Sequence, residues 1–301
     1  MLAGKAIVVT GAGQGLGLAY AQRAAALGAS VVVNDLDGDN AAAAVRSIVD
    51  AGGSAISVVG SVADWDVAAE LTNACIRQFG AIDGLVNNAA LHHLEFPWDE
   101  TEDQMRRIFE VNVLGTMYCG THALRAMKAQ RRGAIVNVAS GAHIGLALRA
   151  TYGATKGAVA SLTYGWALEA MPHNVRINAI SPTASTPMTK ASADDEARFP
   201  ESARLPGKGA PPASVAPMVT FLLSDLAEGV TGQIVRMTGR TINLVDHPSN
   251  AAPVEESEAW TEPTIAAAFK DVFAGRLKPV GQMAKTYAWA PSLGEDGLAG
   301  A

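Results

Sequence analysis

The strongest constraint on this chain lies between residues 5 and 28. Lys5 to Val9 is a short apolar run rich in β-branched residues, the pattern of a strand buried on both faces. Thr10-Gly11-Ala12-Gly13-Gln14-Gly15-Leu16-Gly17 follows, and a helical stretch runs on to Leu27 and stops at Gly28. Strand, glycine-rich turn and helix in that order bring backbone N–H groups and a helix N-terminus under a pyrophosphate. A side chain in the turn would hold the backbone off the phosphates. Gly11, Gln14, Gly15, Leu16 and Gly17 are therefore candidate cofactor contacts; an ordinary glycine-rich turn is the alternative.

The next strand, Ser30 to Val33, ends in Asn34-Asp35. Asp35 lies 18 residues past Gly17, near the spacing at which an acidic side chain accepts from the adenosine ribose hydroxyls. That carboxylate suits NAD and would repel the 2′-phosphate of NADP, and positions 34 to 38 hold no arginine to offset it. A turn-forming role before Asp37-Gly38 is compatible with this one.

Strand and helix patterns then alternate: helix 39–51, strand 54–59, helix 64–79, strand 82–86, one long helix 100–130, strand 134–138, helix 151–170, strand 175–180, helix 213–223 and a last strand 231–237. Such repetition predicts a doubly wound parallel sheet with helices on both faces, whose ligands bind at the carboxyl ends of the strands. Ser61 and Val62, Asn88 and Ala89, Ser140, and Pro182 through Thr186 to Met188 all follow strand ends.

Tyr152 and Lys156 are four residues apart on a predicted helix, so they share a face. A phenol of ordinary pKa about 10 is a poor base at neutral pH, and a nearby cation favours its ionised form. The pair suits proton transfer at an alcohol oxygen, although Tyr-x-x-x-Lys also arises by chance on helix surfaces. Ser140, twelve residues earlier, could donate to the same oxygen. Asn112 stands mid-helix between two valines, unusual for a polar residue unless its amide is satisfied.

Composition narrows the classes. Hydrophobic residues make up 49% and charged ones 17% of 301 residues, enough for a large core. The net charge of −6, without a basic cluster, argues against nucleic acid. Cys75 and Cys119 read as core residues, and the adjacent His92 and His93 point apart, so no metal site is expected. No apolar run reaches membrane length and the start lacks a signal-peptide layout, giving a cytoplasmic expectation. Residues 189–212 show no periodicity and read as a substrate lid. Residues 245–301 carry five prolines and one credible helix, 263–273, capped by Thr261; they form an arm or a tail beyond a 1–244 domain.

Thr10–Gly17, Asp35, Asn87–Ala89, Asn112, Ser140, Tyr152, Lys156 and Pro182–Thr186 together make residues 2–242 resemble the short-chain dehydrogenase/reductase family. The resemblance implies a seven-stranded parallel Rossmann sheet, order 3-2-1-4-5-6-7, and hydride transfer between NAD and a carbinol carbon. It implies that Tyr152 is the acid/base, that Ser140 steadies the substrate oxygen, and that Lys156 lowers the Tyr pKa and binds the nicotinamide ribose. Asn112 would hold a water linked to Lys156, Asn88 and Ala89 would pass the adenosine ribose, and Thr186 would meet the carboxamide. Ser61 (usually Asp), Ala90, Thr183 and Gly239-Arg240 (each usually Gly or Gly-Gly) depart from the pattern.

The pocket would take Ala142, His143, Leu94 and their apolar neighbours, with His143 either a polar selector or a solvent-facing side chain. The run around Gly239–Leu244 and Trp260–Pro263 is similar to longer family members, including the dehydrogenase part of peroxisomal multifunctional enzyme type 2. That favours a bulky apolar substrate, steroid-like or a 3-hydroxyacyl-CoA, although Arg149, Lys190, Arg198 and Arg204 are too scattered to mark a CoA site. The family also implies a homotetramer or dimer through the two long helices. A catalytically silent NAD-binding sensor is the alternative.

Overall fold

The computed structural model describes residues 1–188, 197–199, 209–250, 259–278 and 281. Among them, eight strands form one sheet, in the order β3-β2-β1-β4-β5-β6-β7-β8. The strands are β1 (Ala6–Val9), β2 (Ser30–Asp35), β3 (Ser54–Val59), β4 (Gly84–Asn87), β5 (Gly133–Val138), β6 (Val175–Pro182), β7 (Ile234–Met237) and β8 (Ile242–Leu244). The first seven run parallel, in the expected order. β8 corrects the expected seven strands. Gly239, at φ +77°, turns the chain back, and β8 pairs antiparallel with Val235–Met237. Three exposed residues give no alternation by which such an edge strand could be read.

The helices are α1 (Gly15–Ala26), α2 (Gly38–Asp50), α3 (Trp65–Phe79), α4 (Glu102–Phe109), α5 (Gly115–Gln130) and α6 (Ala150–Ala170), with a further helix at Ala216–Leu223. Their starts are encoded locally. The Asp37 carboxylate accepts from the N–H groups of Asp39 and Asn40, and Asp64 caps α3 in the same way. The sheet divides the core by strand period. Ile7, Val9, Val31 and Val33 face α1, α2 and the 216–223 helix, whereas Ala6, Val8 and Val32 face α3, α5 and α6.

The single helix expected over 100–130 is interrupted. α4 and α5 are joined by a π-helical turn, Glu110–Leu114, with Asn112 inside it. Wide turns of this kind put an extra residue into the helix and concentrate at functional sites. At the C-terminal end, Thr261 caps a helix (Glu262–Ala268) that continues as a π turn, Phe269–Phe273. Val245 packs against the cluster of Ala139, Val159, Ala160, Ala179 and Ile234, and His247 tilts against Tyr164 at 4.6 Å between ring centroids. Most of the expected lid lies outside the described residues.

Candidate active site

The glycine turn is built for close approach. A Cβ on Gly17 would lie 2.1 Å from the Gly11 carbonyl oxygen, and one on Gly13 would lie 2.7 Å from the Asp35 carboxylate. Gly11 and Gly15 hold positive φ, +57° and +60°. Asp35 reaches the turn directly: Oδ2 accepts from Gly13 N at 2.9 Å and Oδ1 from Asp37 N at 3.1 Å. The first amides of α1 have no intrahelical acceptor and so suit a phosphate. The side-chain-free cradle and the adjoining carboxylate thus fit a dinucleotide. Asn88 buttresses the turn rather than pointing free, because its amide donates to the carbonyls of Thr10 and Gly11 at 2.9 and 3.0 Å. Thr10 Oγ1 in turn accepts from Asn88 N and Ala89 N.

Across the sheet end, Ser140 closes β5 and accepts from Ala142 N at 3.2 Å, starting a short turn. Tyr152 stands in the first turn of α6 and lines the same cavity as Ser140. Burial pushes the phenol pKa up; Ser140 and then the charge of Arg149 oppose that rise. Lys156, 3% exposed, donates to the Val138 carbonyl at 2.7 Å and lies 5.7 Å from the Tyr152 ring centroid. Burial pulls its pKa down to about 8. Asn112 is fully buried. Its amide accepts from Leu91 N (2.7 Å) and donates to Leu91 O and Thr155 Oγ1 (3.0 Å each). It ties the loop after β4 to α6, and the side chain spends both donors doing so.

One cavity of about 740 Å³, in the range of small-molecule sites, joins the two halves. Its wall includes Gly11, Gln14, Gly15, Leu16, Asp35, Ser61, Val62, Asn88, Ala89, Ser140, Tyr152, Lys156, Pro182, Thr186 and Met188. Gly17 and Asn112 stand behind it. So do three residues expected on the substrate side. Leu94 is buried with Phe96, Leu148 and Phe199; Ala142 is buried beside Gly153; and His143 bonds the Ser140 carbonyl through Nδ1. His92, by contrast, lines the cavity, edge-on to Tyr152 at 4.6 Å.

Some polar residues escaped the sequence reading. Asn87 donates to Asn137, and Asn137 to Thr163, forming a buried chain from β4 through β5 to α6. Only strand pairing brings these residues together. Arg149 is 6% exposed and in the cavity wall, although nothing in its sequence neighbourhood signals burial. Among the described residues no three His, Cys, Asp or Glu side chains group as metal ligands, and no helix is long and apolar enough to cross a membrane. Cys75 and Cys119 are buried free thiols with pKa values raised to about 12, as befits core positions.

With this geometry established, comparison with known proteins gives the class. Residues 5–197 match the short chain dehydrogenase family, and the chain belongs to it. The chain is 39% identical over 237 residues to cis-4-hydroxycyclohexanecarboxylate dehydrogenase of Sinomonas cyclohexanicum, covering 77% of this chain and 94% of the relative. It is 34% identical to cyclopentanol dehydrogenase of a Comamonas species, covering 79% and 98%. A crystal structure of a short chain dehydrogenase from Mycobacterium avium superposes with a TM-score of 0.82 at 30% identity, covering 93% and 97%. The family consists of oxidoreductases that use nicotinamide dinucleotides.

Proposed function

We propose that this protein is an NAD-dependent dehydrogenase of a bulky, largely apolar secondary alcohol, with Asn112, Ser140, Tyr152 and Lys156 as its catalytic group. The observation that carries this reading is the shared cavity: the glycine turn and Asp35 at one end, Ser140, Tyr152 and buried Lys156 at the other. The nicotinamide ring, when bound, would accept hydride from the carbinol carbon. Tyr152 takes the hydroxyl proton as general base, Ser140 donates to the same oxygen, and Lys156 stands beneath the phenol as the cation that favours its ionised form. Asn112 acts at one remove, by fixing α6 through Thr155.

The substrate class rests on the wall and the relatives. Leu91, Leu146 and Met188 give it apolar surface, and the relatives above are named for cyclic secondary alcohols. Steroid alcohols and 3-hydroxyacyl-CoAs belong in the same screen. Purified protein with NAD and this panel should produce NADH absorbance with at least one cyclic alcohol. Tight NAD binding with no turnover of any member would favour the silent sensor instead.

NAD is preferred over NADP because the Asp35 carboxylate faces the cavity beside the turn. Like charges brought together at a binding site cost several kcal/mol. Asp35→Ala should therefore lower the NAD/NADP ratio of kcat/KM by at least about tenfold, or about 1.4 kcal/mol. An unchanged ratio would remove Asp35 from this role. Exposed Met105, Phe109, Leu114 and Met117 along α4–α5, with Leu168 and Met171 at the end of α6, favour a homo-oligomer through these helices. Residues 1–244 are then the dinucleotide-binding domain and 245–301 an arm packed on it or on a neighbour.

A further inference from the structure

The cavity wall contains a cation that the proton-transfer scheme does not use. Arg149 is 6% exposed, begins α6 as its N-cap, and lies three residues before Tyr152. Residues at i and i+3 lie on one helix face, and both side chains line the same cavity. The charge of Arg149 opposes the rise of the Tyr152 phenol pKa, in line with the cavity that the two residues share. Arg149 Nη1 donates to the Ala147 carbonyl at 3.3 Å, and a guanidinium carries five N–H donors in all. The chain also holds strain here. Leu148 has φ +62°, a left-handed conformation that costs a branched side chain about 1–3 kcal/mol. It is kept there by the Glu95 N to Leu148 O hydrogen bond at 3.1 Å and by burial among Leu94, Phe96 and Phe199. This strained turn delivers Arg149 into the wall.

We propose that Arg149 is a specificity-determining residue that receives the carboxylate of a hydroxy acid whose carbinol end sits at Ser140 and Tyr152. The proposal rests on the dehydrogenase reading above and narrows its substrate class. A guanidinium matches a carboxylate with two parallel hydrogen bonds, and in a largely apolar cavity that pairing is stronger than in water. The apolar wall then takes the ring or chain that separates the two functional groups. Arg236, on β7 opposite Ser181, is the other arginine in the wall among the described residues and serves as the comparison.

Two measurements test this. In the first, cyclohexanecarboxylate and its neutral carboxamide are titrated calorimetrically into the protein–NADH complex. The wild type should prefer the acid by at least about tenfold, Arg149→Met should lose that preference, and Arg149→Lys should keep part of it. NADH affinity within about twofold of wild type shows that each variant is folded. In the second, kcat/KM is compared for 4-hydroxycyclohexanecarboxylate and cyclohexanol. Any loss transmitted through Tyr152 is common to both substrates, so the acid/alcohol ratio isolates carboxylate recognition. Arg149→Met should lower that ratio by at least about 30-fold. Equal losses on both substrates, or transfer of the acid preference to Arg236 as shown by Arg236→Gln, would overturn the assignment. Arg149-dependent acid binding without turnover of any alcohol would instead overturn the dehydrogenase reading and leave the carboxylate site standing.

Discussion

Tyr152→Phe should lower kcat by about a thousandfold, the size of a general acid–base contribution, while NAD affinity moves by less than about twofold. The substitution removes one oxygen and keeps the ring. The edge contact with His92 and the placement over Lys156 are ring contacts and survive it. What is lost is the hydroxyl proposed to take the alcohol proton, in the cavity that it shares with Ser140. The pH profile supplies a second readout. Burial raises the phenol pKa in the cofactor-free protein, so alcohol oxidation by the wild type should rise with pH as the phenol ionises. The residual rate of Tyr152→Phe should lack that limb. A near-native rate would remove Tyr152 from the chemistry.

The parts of the fold that could be read in advance are those whose signal is local. The glycine turn announces itself because Gly11, Gly13, Gly15 and Gly17 follow an apolar run and lead into a helix, and a Cβ on Gly17 would meet the Gly11 carbonyl oxygen at 2.1 Å. Asp37 and Asp64 mark helix starts by the same local logic. The candidate catalytic residues were legible as motifs at strand ends and on one helix turn, and Ser140, Tyr152 and Lys156 do line one cavity. Three features were not legible. The π turn at Asn112 leaves the composition of 100–130 unchanged, and the Leu91 backbone that its amide meets lies in the loop after β4. The strand Ile242–Leu244 is too short and exposed to show a period. Arg149 looked like one of several scattered basic residues, because burial of a single cation depends on a left-handed Leu148 that no propensity would assign. Leu94, Ala142 and His143 stand outside the described wall of this cavity for a related reason. Closeness in sequence to Ser140 or to the loop after β4 does not say which side of the backbone faces the cavity.

Lys156→Met should separate function from stability most sharply. It should cut turnover by at least about a hundredfold, since the cation proposed to favour an ionised Tyr152 is gone. Yet it should stabilise the cofactor-free protein at pH 7. The reason is the sign of the Lys156 shift. Burial lowers its pKa from 10.5 to about 8, so the folded state disfavours the ammonium. Below pH 8 the amine is charged in both states, and the folded protein carries the full desolvation cost. The gap between 10.5 and about 8 corresponds to about 3 kcal/mol, at about 1.4 kcal/mol per pH unit. Between those values the unfolded chain binds more protons, so stability rises with pH, and above 10.5 the cost is gone. Methionine removes the charge. It also forfeits the 2.7 Å hydrogen bond to Val138 O, worth about 1.5–3 kcal/mol for a charged donor. The net gain at pH 7 is then on the order of 1 kcal/mol, a rise in Tm of a few degrees. Other groups titrate in the same window, so the quantity to follow is the difference in Tm between the two proteins at pH 7 and at about pH 11. It should favour the variant at pH 7 and reverse by about pH 11, where the desolvation cost is gone and the lost hydrogen bond to Val138 O remains. A variant less stable at both values by the same amount would mean that Lys156 holds the fold together. A reversal would mean that the chain retains a buried ammonium against its own stability, as a residue kept for chemistry should.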